Sequence, residues 1–405
     1  MWGSNNMSNL NNIIQAVKNA NVCLKVSELS GAVVKLNSDG QPYRVRGGFA
    51  IVFRLTKNSK QWALRVWHTG FNRQKERFQH ISKYLEMKKL PYFADFIFEE
   101  KGLVVDGKHV DIIRMEWLEG DLLKKYIEKN KTNQNKLLNL TNCFFTMFES
   151  LHEHAISHGD LQHGNILIDQ QGNIRLLDYD SICIPEIEGK EEFVTGLRGY
   201  QHHSRMRNVT KTSLKADYFS ELIIYLSLYA ISLAPYLWDK YKVKDTEVLL
   251  FNDDDFINLE QSVIYKELTK INSKKINILL NILSIFLKKQ SYLELSPFMN
   301  HQNFTSIKHD VESVSPCDNK FNGYGELYFN EGQWKGDRYK GEFLEGFFHG
   351  QGEYHHANGS WYQGEFQNGK YIGEKNEIHF IRYRFICILQ KLKNSLTRFG
   401  MVHDE

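Results

Sequence analysis

Two short segments most restrict what this 405-residue chain can fold into: His158-Gly-Asp-Leu-Gln-His-Gly-Asn165-Ile-Leu-Ile168 and Leu176-Leu-Asp-Tyr-Asp180. Each sets acidic or amide side chains beside an apolar run, and Gln171-Gly-Asn173 between them has the composition of a hairpin turn. The pattern predicts a loop, two short strands and a second loop. Asp, Gly and Asn also form ordinary polar turns, but here the three side chains answer one chemical need. Moving a γ-phosphoryl group calls for a carboxylate to receive the acceptor's proton, here Asp160, and for an amide and a second carboxylate to hold Mg2+ on the phosphates, here Asn165 and Asp178.

From these residues outward the chain resembles the protein-kinase-like fold, and within it a bacterial group with HGDLQHGN, LIDYDG-type and GYQHP-type segments. The corresponding runs are His158 to Asn165, Leu177-Asp-Tyr-Asp180 and Gly199-Tyr-Gln-His-His-Ser204. The resemblance implies an α+β, bilobal domain with ATP and Mg2+ between the lobes, Asp160 orienting the acceptor hydroxyl, and Asn165 and Asp178 as metal ligands. It extends to Arg46-Gly47-Gly48-Phe49-Ala50-Ile51-Val52, where main-chain amides would cover phosphates, although Val45 and Ala50 stand where the first and third glycines are expected. Trp62-Ala63-Leu-Arg65-Val-Trp67 resembles the strand that carries a phosphate-pairing lysine, with Arg65 in its place. Arginine keeps the charge but is planar and longer, so the exchange alters the shape of the site.

Ile112 to Gly120 resembles the inner strand and hinge, or else is a plain buried strand ending in a glycine turn. On the kinase-like reading, Gly47, Gly48, Phe49, Val52, Ala63, Arg65, Glu116 and Leu118 contact the nucleotide, and Asp160, Asn165, Asp178 and Arg65 form the catalytic set. The glutamate that ordinarily pairs with the strand lysine is expected near His80 or Ile81; Glu76 and Glu86 lie about a turn to either side, each as a partner for Arg65 or as a solvated face. Asp217, at the start of a long apolar helix, is expected to brace the catalytic loop by accepting backbone N–H bonds. Asp180 would enlist a second ion or bond its own loop.

The acceptor is less sharply defined. Gln162 occupies the place where Ser/Thr kinases commonly keep a lysine, and the HGD and GN pairs are similar to the small-molecule branch that includes aminoglycoside and choline phosphotransferases. Ser181 to Ser204 resembles an activation and docking stretch and favours a protein Ser/Thr hydroxyl. The alternatives are a small-molecule phosphotransferase and a nucleotide-binding pseudokinase that acts as a scaffold.

A chain of this length exceeds what one ordinary core supports. A net charge of +3 gives no support for a nucleic-acid partner. Five singly scattered cysteines offer neither zinc-ligand spacing nor a disulfide framework, and the first residues lack a secretory pattern, so a reducing, cytoplasmic setting is expected. Leu222 to Trp238 is nearly all apolar, but Ser227, Ser232 and Pro235 interrupt it and a buried core helix fits better than a membrane span.

After residue 318 the composition changes to a glycine and aromatic repeat. Asn322-Gly-Tyr-Gly325 and His349-Gly-Gln-Gly352 mark one recurring position, and Tyr339-Lys-Gly-Glu-Phe343 and Tyr362-Gln-Gly-Glu-Phe366 the other. These segments resemble MORN repeats, stacked β-hairpins with aromatics packed between neighbours. Residues 378–399 are apolar and basic, which suits either an amphipathic helix that caps the stack or peripheral attachment to an anionic membrane surface. The expected organisation is an N-terminal extension at 1–41 packing on the kinase-like domain at 42–300, a linker at 301–318, repeats at 319–375 and a basic amphipathic tail at 376–405.

Overall fold

Alternation along Ala50–Lys57 and Lys60–Trp67 sorts Ile51, Phe53, Leu55, Leu64 and Val66 onto one face of a sheet, and Val52, Ala63 and Arg65 onto the other. A computed structural model describes residues 4–46, 50–68, 75–192, 196–206, 211–308, 323–328, 336–344, 347–357, 359–367 and 369–372. The apolar face is covered by the helix Ser4–Lys18, whose Ile13, Ile14 and Val17 are buried against it. Burial of each such side chain contributes roughly 1.5–3 kcal/mol, enough to dock the helix.

The sheet contains β1 (Val33–Val34), β2 (Arg44–Arg46), β3 (Ala50–Lys57), β4 (Lys60–Trp67), β5 (Phe96–Val105) and β6 (Lys108–Glu116). Its order is β1-β3-β4-β6-β5, with β2 also paired to β3. The β3–β4 and β5–β6 hairpins turn through Asn58-Ser59 and Asp106-Gly107, both pairs with positive φ, the geometry that matches the right-handed twist of the strands. The helix Lys75–Lys88 packs beneath β5.

The second lobe is helical, with a three-stranded sheet of β7 (Gly120–Leu122), β8 (Ile166–Asp169) and β9 (Ile174–Leu176) at its upper edge. The anticipated turn closes β8–β9: the Asp169 carboxylate accepts the N–H groups of Gln171 and Asn173, and Gly172 has φ +88°. The apolar run after Asp217 is the helix Tyr218–Leu233, buried on nearly every side and packed against Gln134–Glu153. Among the described residues no helix is long and apolar enough to cross a membrane. Residues 302–308, expected within a linker, instead form the helix Gln302–Lys308, because Phe304 is buried against Phe145, Tyr225 and Phe298. Among the described residues Cys23 and Cys183 are free thiols.

The C-terminal sheet is an antiparallel meander of β10 (Gly323–Tyr328), β11 (Arg338–Leu344), β12 (Phe347–His355), β13 (Trp361–Gln367) and β14 (Lys370–Tyr371). Nine residues separate β10 from β11 but five separate β12 from β13, so the first connection is four residues longer. Gly325, Gly341, Gly352 and Gly364 lie in one row across four strands. A Cβ on Gly352 would meet the Tyr339 hydroxyl at 2.2 Å, so the ring of one strand occupies the space that glycine leaves on the next. The proposed tail, residues 376–405, lies outside the described residues.

Candidate active site

The two diagnostic segments meet between the lobes. The Asn165 Nδ2 group donates to the Asp160 carbonyl at 2.9 Å and to Asp160 Oδ2 at 3.0 Å, while Oδ1 of the same carboxylate accepts the Leu197 N–H at 3.1 Å. The loops are tied together by the Leu177 N–H to the Asn165 carbonyl at 2.8 Å and by His158 Nε2 to the Leu177 carbonyl at 2.8 Å. Because His158 Nε2 faces a carbonyl, it carries the proton, and Nδ1 is left to accept the Asp160 N–H at 3.3 Å. Burial raises the Asp160 carboxyl above its usual range and the nearby Asp178 charge raises it further, while the hydrogen bonds from Leu197 and Asn165 pull it back.

Asp217 braces the catalytic loop in the expected manner. Its carboxylate accepts the His158 N–H, the Gly159 N–H at 2.9 Å and the Ser157 hydroxyl at 3.0 Å. Gly159 itself has φ +79°, and a Cβ there would lie 2.2 Å from the Ser181 carbonyl oxygen, so the loop cannot carry a larger residue at this position. A second brace was not legible in the sequence. Arg205, almost fully buried, donates to the Gly159 carbonyl and to Gln201 Oε1, both at 2.6 Å, and pairs with buried Glu192. Nothing in the local pattern around Arg205 or Glu192 marks either as an interior charge.

Asp178 has φ +58°, the left-handed region that a non-glycine residue seldom adopts, and its side chain is half exposed. The strain is held by Tyr179, which is buried against Phe93 and Phe96, accepts the Ala94 N–H at 2.8 Å and donates to the Leu176 carbonyl at 3.1 Å. Tyr179 therefore anchors the loop while Asp178 projects from it. The donor set fits a hard divalent cation: Asn165 Nδ2 is committed to Asp160, which leaves its carbonyl oxygen free to join the Asp178 carboxylate. Among the described residues no three or more His, Cys, Asp or Glu side chains form a self-sufficient metal site.

Arg65 departs from the expectation. Its guanidinium does not reach Glu76 or Glu86. Nη2 donates to Asp180 Oδ2 at 2.5 Å, with Oδ1 equally close, and Nη1 lies 3.6 Å from Asp178. Glu76 instead is solvated and sits 3.6 Å from both His80 and Lys190; Glu86 is exposed. The helix turns Arg77 inward at that level, and its guanidinium donates to the Ile182 carbonyl at 2.6 Å.

Among the expected nucleotide contacts, Val52 pairs in register with Arg65, and Ala63 with Met115, so both share the cleft-facing side of the sheet. Glu116 ends β6 and approaches Arg175 at 3.7 Å, Leu118 follows half-buried, and the intervening Trp117 N–H is spent on the Gln61 carbonyl. Gly47, Gly48 and Phe49 lie outside the described residues, between β2 and β3.

The family model described as the protein kinase domain matches residues 46–291. The chain is 26% identical over 164 residues to the rat interferon-induced, double-stranded RNA-activated protein kinase, covering 39% of this chain and 31% of that protein. It is 25% identical over 218 residues to the probable serine/threonine-protein kinase mkcD of Dictyostelium discoideum, covering 48% of this chain and 31% of that one. It is 37% identical over 76 residues to the serine/threonine-protein kinase PrkC of Bacillus subtilis, covering 18% and 12%. The chain thus spans less than a third of the length of each of these relatives.

Proposed function

Since the chain belongs to the protein kinase domain family, we propose that it is an ATP- and Mg2+-dependent phosphotransferase acting on protein Ser/Thr hydroxyls. The observation that carries this reading is the convergence of Asp160, Asn165 and Asp178 through the hydrogen bonds that join their two loops. Asn165 through its carbonyl oxygen and Asp178 through its carboxylate would hold the divalent ion, with phosphate oxygens completing the set. When bound, that ion neutralises charge on the phosphates.

Asp160 is the group that receives the acceptor's proton. Its carboxylate is oriented by Asn165 and by the Leu197 N–H, and burial makes it a stronger base than an exposed aspartate. Arg65 supplies fixed positive charge on the cleft face of β4, where it would pair with the α/β-phosphates. The experiment is label transfer from ATP in the presence of Mg2+. Asp160→Ala is expected to lose about 10²–10⁴-fold in rate, and Asp178→Ala to lose transfer together with its Mg2+ dependence. Transfer that persists at wild-type rate in both variants would sink the assignment.

One observation favours a second reading, the nucleotide-binding pseudokinase scaffold: the Arg65 guanidinium is already engaged by Asp180 and Asp178. It predicts thermal stabilisation by MgATP with no labelled product. Labelled metabolite without labelled polypeptide would point to a small-molecule acceptor. For the C-terminal sheet we propose MORN-type scaffolding or membrane targeting, supported by its hairpin period and row of glycines. Vesicles containing anionic lipid should sediment the full chain but not a chain ending at Glu377; equal partitioning of the two removes the tail from the membrane proposal.

A further inference from the structure

The interior pairing of Arg65 calls for a reason. Its side chain is 8% exposed and that of Asp180 is 15% exposed, which is costly for two charges unless each satisfies the other. Trp67 and Phe78 stand 5.9 Å and 5.7 Å from the guanidinium carbon and limit where it can swing. The helix Lys75–Lys88 offers no carboxylate in their place, since Glu76 is solvated and engaged elsewhere. That helix contributes a cation, Arg77, whose charge also acts on Asp180. The arrangement is therefore exchanged: the helix brings the positive charge, and the metal-side loop brings the negative one.

We propose that Asp180 is the positioning residue for Arg65, doing from the loop after Asp178 what a carboxylate on the helix would otherwise do. The assignment rests on the phosphotransferase reading above and deepens it. Asp180 follows Asp178 by two residues, and Arg65 pairs with both, so the strand cation and the metal-side carboxylate are tied to each other. The extra length of arginine over lysine is what spans from β4 to this loop, so that one contact uses both Arg65 and Asp180. The arginine Nε and Asp180 Oδ1 are both buried without an aligned hydrogen bond, so the pair retains polar capacity inside the cleft.

The test uses the full chain and two readouts: MgATP affinity by calorimetry and thermal unfolding without nucleotide. Asp180→Asn is expected to weaken MgATP binding at least tenfold, raising KM for ATP more than it lowers kcat. Arg65→Met should do the same, and the double variant Arg65→Met/Asp180→Asn should lose no more than the worse single variant. Asp180→Glu should restore part of the affinity. If Asp180→Asn does not fold, the double variant should, because the stranded arginine has been removed; failure of that rescue counts against the pairing. MgATP uptake by wild type with an Asp180→Asn variant that binds within twofold overturns this assignment alone. No uptake by wild type overturns the phosphotransferase reading and, with it, this one.

Discussion

The catalytic-loop region and the C-terminal sheet both depend on buried polar and aromatic groups, but they gather them over different distances along the chain. Around Asp160 the ties join residues 46, 58 and 115 positions apart: Arg205 to Gly159, Gly159 to Asp217 and Arg65 to Asp180. In the sheet each strand pairs with its immediate successor, and Tyr339 stacks on Phe348 with ring centres 3.7 Å apart. A repeat built from nearest neighbours has stability that is close to a sum of local terms. The catalytic region has no such decomposition, because each loop is held by elements that must already be in place.

The sharpest way to break this contrast is to remove the Arg205 guanidinium. Arg205→Leu removes the guanidinium paired with buried Glu192 and frees the Gly159 carbonyl, and should cost about 3–5 kcal/mol. Urea unfolding measures the loss, and MgATP affinity should fall with it because the catalytic loop is released. A cost under about 1 kcal/mol would mean that the region is not held by this brace.

Tyr339→Ala tests the other side. Loss of a fully buried ring that contacts Phe348 and Phe366 should cost about 3 kcal/mol. Hydrogen exchange should rise in β11–β13 while MgATP affinity stays unchanged. A loss of nucleotide binding would show that the sheet is not an independent stack.

A smaller effect sharpens the comparison between the two sets of aromatics. The sheet's rings pack on one another, whereas Tyr225, Tyr229 and Phe304 of the helical lobe surround the Lys275 ammonium at 5.0, 4.6 and 5.7 Å. Burial pulls Lys275 down to about 8, from an ordinary value of 10.5. Below pH 8 both folded and unfolded chains carry the proton, and the burial cost is fully present. Between pH 8 and 10.5 the unfolded chain binds more protons, so stability should rise with pH. Lys275→Met should raise stability at pH 7 by about 1–2 kcal/mol and abolish that rise. Destabilisation at pH 7 would mean that the rings hold the cation more strongly than burial opposes it.

The parts of the site read correctly from sequence are those whose chemistry is local. The turn after Asp169, the helix after Asp217 and the brace on His158 and Gly159 follow from turn residues, an apolar run and a lone acid at a helix start. The helix Gln302–Lys308 is not legible in the sequence, because a single phenylalanine among polar residues carries little periodic signal, yet Phe304 is buried. The partner of Arg65 is not legible either, because helical spacing ranks Glu76 and Glu86 by position, not by which face turns inward.

By itself, the sequence determined the local parts: two loops bearing Asp160, Asn165 and Asp178, strands with one apolar face, and glycines spaced for a meander. Each of these is set by side-chain type and by a period of a few residues. Only the tertiary structure decided which charges pair, joining Arg65 to Asp180 and Arg205 to Glu192. An interior charge selects its partner by proximity after the chain has packed, and exclusion of water makes that selection strict.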